Sequence, residues 1–212
     1  MVHSIFNDVL GPIMCGPSSS HSAGCARIGL ETRLLFGREV KKANVIFDES
    51  GSYPETYIGQ GSNYGFTGGL LGFETSNAEV KDAVDIAKSL GRKIWFSKQK
   101  LYSRHPNEAL INVYNENDEI ELSVLTFSTG GGMFEIVELN GFPVFIDGTQ
   151  EQIFICCQSD HALDVHNFIE KQDVEVTKVI KDDCTLYAVS SFNEQSKANL
   201  LAAEEKLEVL WV

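Results

Sequence analysis

Three hydroxyls and an imidazole stand in a row near the start of this sequence, at Ser18, Ser19, Ser20 and His21. They directly precede residues 22–36, whose apolar spacing predicts a helix. The first turn of a helix presents unpaired N–H groups and a positive dipole end, which bind a carboxylate or phosphate. A histidine beside that anion can donate to it or move a proton near neutral pH. The segment predicts an anion site, although a serine-capped helix beside a solvated histidine has the same residues.

The elements that position this segment follow from hydrophobic periodicity. The pattern predicts strands over 43–47, 94–97, 109–115, 120–128 and 134–139, and helices over 22–36 and 79–90. Residues 52–73 are interrupted by glycine and predict a helix, a loop and a second helix. Gly130, Gly131 and Gly132 indicate a break between two strands. The first part of the chain is therefore expected to have an α/β (α+β) fold.

The remaining residues predict a second, smaller domain. Strands are expected over 152–158, 174–180, 185–192 and 209–212. One helix is expected to begin at a Ser159-Asp160 cap, and a second helix is expected over 196–207. The order β-α-β-β-α-β is the ferredoxin-like arrangement. Its size and closing strand resemble an ACT domain, a small regulatory module that binds amino acids. The Asp-x-Pro-Gly-like turn of amino-acid-binding ACT domains is missing here, which leaves ligand binding at this turn open.

Glycine usage marks the domain boundary. Sixteen of the 18 glycines lie in residues 1–132, and none follows Gly148. At roughly 150 residues per domain, 212 residues allow one large domain or two modest ones. We therefore expect domains at 1–147 and 148–212. Glycine-rich loops in the first domain would permit close approach of a ligand.

Charge and composition exclude several classes of protein. Thirty acidic against 17 basic residues give a net charge of −13, which disfavours partners such as nucleic acid or an anionic membrane surface. No apolar run approaches the roughly 18 residues of a membrane span, and the first eight residues lack a secretory pattern. Five cysteines, an odd number without a C-x-x-C, are typical of a reducing compartment. We expect a cytoplasmic chain that binds no metal cluster by itself.

The hydroxyl–imidazole segment also carries a family resemblance. Residues 10–24, with Gly16-Pro17 before the serines and Ala23-Gly24 after them, resemble the opening of the beta chain of the bacterial iron–sulfur-dependent L-serine dehydratases. The family pattern there reads I-G-P-V-M-x-G-P-S-S-S-H-T-A-G. Supporting stretches follow in the same order, listed by position: Gly51-Ser52-Tyr53, Gly68 to Gly72, His105-Pro106-Asn107 and Thr129 to Phe142.

The resemblance implies a fold, a reaction and a partner. The first domain would be similar to the allosteric substrate-binding domain of some phosphoglycerate dehydrogenases. The family removes water and then ammonia from L-serine to give pyruvate, and its [4Fe-4S] cluster, the Lewis acid, is ligated by a separate alpha chain. By this resemblance Ser18, Ser19, Ser20 and His21 would hold the substrate carboxylate or assist proton transfer near the alpha–beta boundary, with His21 as the catalytic candidate.

Further candidate substrate-binding residues are Gln60, Asn63, His105 and Asn107. The family's second block ends in G-H-G-T-D, whereas this chain has Gln60 and Asn63 in place of the histidine and the aspartate. Both replacements keep hydrogen-bonding ability and remove acid–base ability. His105 could lie near the ligand, although a turn before the next strand explains it equally well.

Three alternatives remain open at this point. His21 or an alpha-chain group does the proton transfer; the chain serves a related enzyme acting on threonine or another hydroxy-amino acid; or it is a regulatory paralogue that binds a small amino acid or anion without catalysis. The ACT-like domain would join copies into a homodimer or heterotetramer by edge-to-edge sheet pairing.

Overall fold

The structure is a computed structural model that describes residues 13–202 and the backbone of residues 210 and 211. Contacts divide the chain into two compact units, Met1–Gly141 and Phe142–Val212. The expected boundary, from glycine usage, was between residues 147 and 148. The second unit begins with a strand that the sequence pattern did not predict, Phe142–Ile146, because Pro143 disfavours a strand.

The first unit contains the predicted helices and strands. A π-helical turn, Ser19–Ala23, continues into α1 (Gly24–Phe36), and α2 (Tyr53–Thr56), α3 (Ser62–Leu71) and α4 (Ala83–Ser89) follow. The strands are β1 (Lys42–Asp48), β2 (Lys93–Gln99), β3 (Glu108–Tyr114), β4 (Ile120–Gly130) and β5 (Met133–Leu139). The helix predicted over 79–90 begins as a 3₁₀ turn, Ala78–Asp82, before α4. Gly37 ends α1 with φ 71°, a left-handed conformation that glycine adopts without strain.

The five strands of this unit are ordered β2-β1-β3-β4-β5. β1 pairs parallel with β2, whereas the β1–β3, β3–β4 and β4–β5 pairs are antiparallel. Val45 lies opposite Ile111, and Phe47 on the same face packs its ring against Tyr53 and Phe66 of the helices. One face of the sheet therefore forms the core with the helices.

Glycine lets α1 and α3 pack backbone against backbone. A Cβ added to Gly29 would lie 2.5 Å from the Phe66 carbonyl oxygen, and one added to Gly69 would overlap the Ala26 carbonyl oxygen. Gly65 makes a similar approach to the Ser22 carbonyl oxygen, at 2.6 Å. These three glycines lie inside helices at the crossing and not in loops, so their function is close packing of the two helices.

The second unit has the predicted order of elements after its first strand, here β6 (Phe142–Ile146). The rest are β7 (Ile153–Gln158), α5 (Ala162–Glu170), β8 (Glu175–Lys181), β9 (Cys184–Ser190), α6 (Glu194–Ala202) and β10 (Leu210–Trp211). β7, β8, β9 and β10 form an antiparallel sheet in the order β10-β7-β9-β8. The β-α-β-β-α-β prediction is confirmed, and the end of the predicted 196–207 helix lies outside the described residues.

The core of this unit lies between its sheet and its helices, where Ile155, Val165, Ile169, Tyr187 and Leu200 are buried. The predicted cap at Ser159-Asp160 is wrong. These residues form a turn, the N-cap position belongs to His161, and no side chain caps α5 there.

Within the described residues, no helix combines the length and apolar character needed to cross a membrane.

Candidate functional site

The serine segment folds back on itself before α1. Ser18 is the N-cap of the π-helical turn, and its Oγ accepts a hydrogen bond from the backbone N–H of His21 at 3.3 Å. Ser20 Oγ lies 3.4 Å from Ser18 Oγ. Ser19 opens the turn, is partly exposed, and accepts the backbone N–H of Gly24 with its carbonyl. The segment is therefore both a helix cap, as serine favours, and a cluster of hydroxyls around one imidazole.

The imidazole of His21 is buried, with 7% of its surface exposed. Its Nδ1 lies 3.0 Å from Ser20 Oγ. Its Nε2 is buried and has no hydrogen-bond partner among the described residues. Burial lowers the pKa of His21 below its usual 6.5, so the ring is neutral at pH 7. A neutral imidazole with one nitrogen held by a hydroxyl and the other unpartnered can accept a proton from a bound molecule.

A buried tyrosine and cysteine support this imidazole. The rings of Tyr53 and His21 meet edge to face with their centroids 5.2 Å apart. The thiol of Cys25 donates to the Tyr53 hydroxyl, with sulfur and oxygen 3.3 Å apart. Burial raises the pKa of Cys25 to about 12 and that of Tyr53 well above 10, so both stay protonated at neutral pH. Sequence reasoning missed Tyr53 as a site residue, although it stands in one of the supporting stretches.

A chain of hydrogen bonds connects this cluster to Asn107. Ser128 Oγ donates to the Ser20 carbonyl at 2.8 Å, and Asn107 Nδ2 donates to the Ser128 carbonyl at 3.3 Å. Ser52 Oγ donates to Asn107 Oδ1. Ser128 therefore connects Asn107 to the serine segment. The sequence did not identify Ser128 as a site residue.

His105 takes part in its own turn. Its Nδ1 accepts the backbone N–H of Asn107 at 3.0 Å, and its half-buried ring stacks on Phe127 with centroids 5.5 Å apart. These contacts are those of a turn before β3. They match the alternative in which His105 belongs to a turn and is not required near a ligand.

Gln60 lies on the segment that leads into α3, and Asn63 lies in the first turn of α3. Gln60 is exposed, and its backbone carbonyl accepts from Ser22 Oγ at 2.9 Å. Asn63 is partly buried, and its Oδ1 is buried without a hydrogen-bond partner in the described part of the chain. The structure therefore ties this segment to the serine segment through Ser22 and the main chain.

Two buried carboxylates hold the loop that carries His105 and Asn107. Asp48, at the end of β1, accepts the backbone N–H groups of Leu101 at 3.1 Å and Ser103 at 3.0 Å. Glu108 accepts those of Tyr102 at 3.1 Å and Arg104 at 2.6 Å. Burial by itself raises the pKa of Asp48, but hydrogen bonds from Ser50 and Ser103 outweigh it, and the pKa lies below the usual 3.8. The ionised carboxylate of Asp48 therefore holds the loop after β2 in place, and the hydrogen bonds that it accepts stabilise its charge.

This charge predicts a pH dependence of stability. A folded-state pKa below the unfolded value contributes stability that is complete above the unfolded pKa and is lost as pH falls through the folded pKa. We expect Asp48→Asn to lower the free energy of unfolding by about 2 kcal/mol at pH 7, with the deficit shrinking below about pH 4. Urea denaturation at several pH values measures it. Exposed Glu49→Gln is the control, and an unchanged deficit at low pH contradicts the assignment.

The described residues do not fit an iron–sulfur cluster. Among them, no three or more His, Cys, Asp or Glu side chains are grouped so that they could hold a metal ion. Cys25 is fully buried against Tyr53, and Cys157 packs in the core of the second unit. No step of the chemistry is therefore assigned to a metal held by this part of the chain.

Comparison with known proteins identifies two relatives of this chain. No protein-family profile matches it. It is 45% identical over 152 residues to the probable L-serine dehydratase beta chain of Bacillus subtilis (strain 168), covering 72% of this chain and 67% of the relative. It is 34% identical over 149 residues to the L-serine dehydratase beta chain of Peptoniphilus asaccharolyticus, covering 70% of this chain and 66% of that relative. The chain belongs to the L-serine dehydratase beta-chain family.

Proposed function

We propose that this chain binds L-serine and completes the active site of a two-chain L-serine dehydratase, an ammonia-lyase that releases pyruvate and ammonia. The observation that carries the proposal is the His21 imidazole, which is buried, neutral and held at Nδ1, with Nε2 lacking a partner among the described residues. Membership of the beta-chain family supplies the substrate and the need for an alpha chain.

The serine segment is the proposed site for the substrate carboxylate. The hydroxyls of Ser18, Ser19 and Ser20 stand at the start of a helical segment, where N–H groups and the helix dipole favour an anion. The net charge of −13 does not oppose binding there, because L-serine is a zwitterion without net charge at neutral pH and distant exposed charges are screened by salt. Asn107 is the proposed contact for the polar end of the substrate.

His21 is the proposed proton acceptor. With Nδ1–H donating to Ser20 Oγ, Nε2 carries the lone pair and can take the proton from the substrate Cα. The electron pair of the broken C–H bond then forms the C=C bond as the hydroxyl leaves, and the proton held by His21 passes to the leaving hydroxyl, which departs as water. The enamine that remains tautomerises to an imine. The [4Fe-4S] cluster of the alpha chain, which this family resemblance implies, would supply the Lewis acid for the hydroxyl. Hydrolysis of the product releases ammonia and leaves pyruvate.

A regulatory function without catalysis is the second candidate. Gln60 and Asn63 lack the acid–base groups of the family's motif, and the Gln60 side chain is exposed. If the wild-type chain mixed with its alpha chain is silent while Gln60→His is active, the second candidate is correct. Activity of the wild-type pair excludes it.

The two domains have proposed roles of their own. Residues 1–147 form the allosteric-substrate-binding-like domain, and residues 148–212 form an ACT-like domain. β8 is at one edge of the sheet of the second unit, which makes it the proposed pairing edge for a homodimer or heterotetramer. The five cysteines, all as free thiols, suit the proposed cytoplasmic location.

The partner requirement gives a direct prediction. We expect the purified chain alone to release no pyruvate from L-serine and to show no brown iron–sulfur absorbance. Co-expression with the alpha chain, followed by an anaerobic assay for 2-oxo acid, should restore both. Serine dehydration by the chain alone contradicts the two-chain proposal, and threonine in place of serine tests the choice of substrate.

A further inference from the structure

The hydroxyl of Tyr53 is connected to the main chain of Ser20 through Cys25. The Cys25 sulfur lies 3.3 Å from the Tyr53 hydroxyl oxygen and 3.7 Å from the Ser20 carbonyl oxygen. Ser128 Oγ donates to the same carbonyl at 2.8 Å. The relay therefore runs from Tyr53 through Cys25 to the main chain of Ser20.

The relay ends at the residue that holds His21. Ser20 presents its carbonyl to Ser128 and its Oγ to Nδ1 of His21. The ring of Tyr53 meets the imidazole edge to face, at 5.2 Å between centroids and 73° between planes. Tyr53 thus contacts the histidine directly and is connected to it a second time through Cys25 and Ser20. Its side chain is fully buried, so its ring has little freedom to turn.

We propose that Tyr53 is a positioning residue for His21: its anchored ring fixes the orientation and the tautomer of the imidazole, so that Nε2 faces the substrate. This inference rests on the proposed function, in which Nε2 is the proton acceptor. Fixing the supporting groups of a catalytic side chain preserves the geometry in which a misplacement of about 1 Å can cost about 100-fold in rate.

The test removes the hydroxyl and keeps the ring. Tyr53→Phe removes the oxygen that contacts the Cys25 thiol, and it preserves the volume of a fully buried site. We expect kcat of the alpha–beta enzyme to fall about tenfold, with KM within about twofold, because positioning acts on the reacting geometry. Tyr53→Leu, which also loses the ring, should fall about 100-fold. Tyr57→Phe is the matched control, since that ring packs on Phe47 and Phe96 instead.

A second readout is independent of activity. Nitrogen NMR of the full-length chain labelled at histidine reports which imidazole nitrogen carries the proton, and His21→Gln identifies the His21 signals among the five histidines. We expect one tautomer in the wild type and a mixture in Tyr53→Phe, with thermal unfolding showing that the variant is folded. Tyr57→Phe should keep the wild-type signals.

The outcomes separate this inference from the proposed function. Unchanged His21 signals in Tyr53→Phe overturn the positioning role, whether or not kcat falls. Changed signals with wild-type kcat overturn it as well. If His21→Gln itself retains full activity in the two-chain enzyme, the proposed function fails instead.

Discussion

Replacing His21 by glutamine is expected to lower kcat of the alpha–beta enzyme on L-serine by about 100- to 10,000-fold, the usual contribution of a general acid or base. Glutamine keeps a polar side chain of similar length that can form hydrogen bonds, but its amide cannot accept a proton at neutral pH. Because the pKa of His21 is lowered by burial, the imidazole stays neutral through neutral pH. A steady-state assay of pyruvate under anaerobic conditions measures the loss.

His161 provides the control for this substitution. It lies in the second unit, is exposed, and has Asp160 as its near neighbour at 3.7 Å. His161→Gln should leave kcat within about twofold of the wild type, because substitutions of exposed side chains usually have small effects. Equal rates for His21→Gln and His161→Gln would show that the proton acceptor is elsewhere, on the alpha chain or in another residue of this chain.

The second large effect concerns the helix crossing that supports the site. Gly69→Ala would place a methyl group against the Ala26 carbonyl oxygen and 2.5 Å from the Leu30 nitrogen, both main-chain atoms that cannot turn away. Alanine favours a helix over glycine by about 1 kcal/mol, yet the clash forces α1 and α3 apart. We expect the free energy of unfolding to fall by about 3 kcal/mol, the upper end of overpacking costs. Equilibrium denaturation in urea measures it.

Gly68→Ala, one position earlier in α3, is the matched control. Its Cβ would meet the two methyl carbons of Val80 at 3.4 Å, an ordinary contact with a side chain. We expect this variant to be unchanged or up to about 1 kcal/mol more stable, from helix propensity alone. If both variants lose stability equally, close packing of the two helices is not the reason that position 69 requires glycine.

The order of helices and strands was predictable because it depends on local periodicity. Alternate residues of a strand share a face, so Val45 and Phe47 lie on one face of β1, and the β-α-β-β-α-β order of the second unit follows from the spacing of its apolar residues. The strand at Phe142–Ile146 was missed since Pro143 and an exposed Phe145 hide its alternation. The helix cap at Ser159-Asp160 was wrong because α5 begins later, at Ala162.

The candidate site was predictable only in part, for a physical reason. That three hydroxyls and His21 precede a helix can be read from the order of residues, since neighbours along the chain stay neighbours in any fold. Which distant residues contact them depends on how α2, β4 and the loop after β2 pack, and residue order does not encode that packing. Packing brought Tyr53 and Ser128 to His21 and Ser20, left the side chain of Gln60 exposed, and buried Nε2 of His21. Burial also set the pKa of His21, which depends on surrounding atoms that residue spacing does not encode.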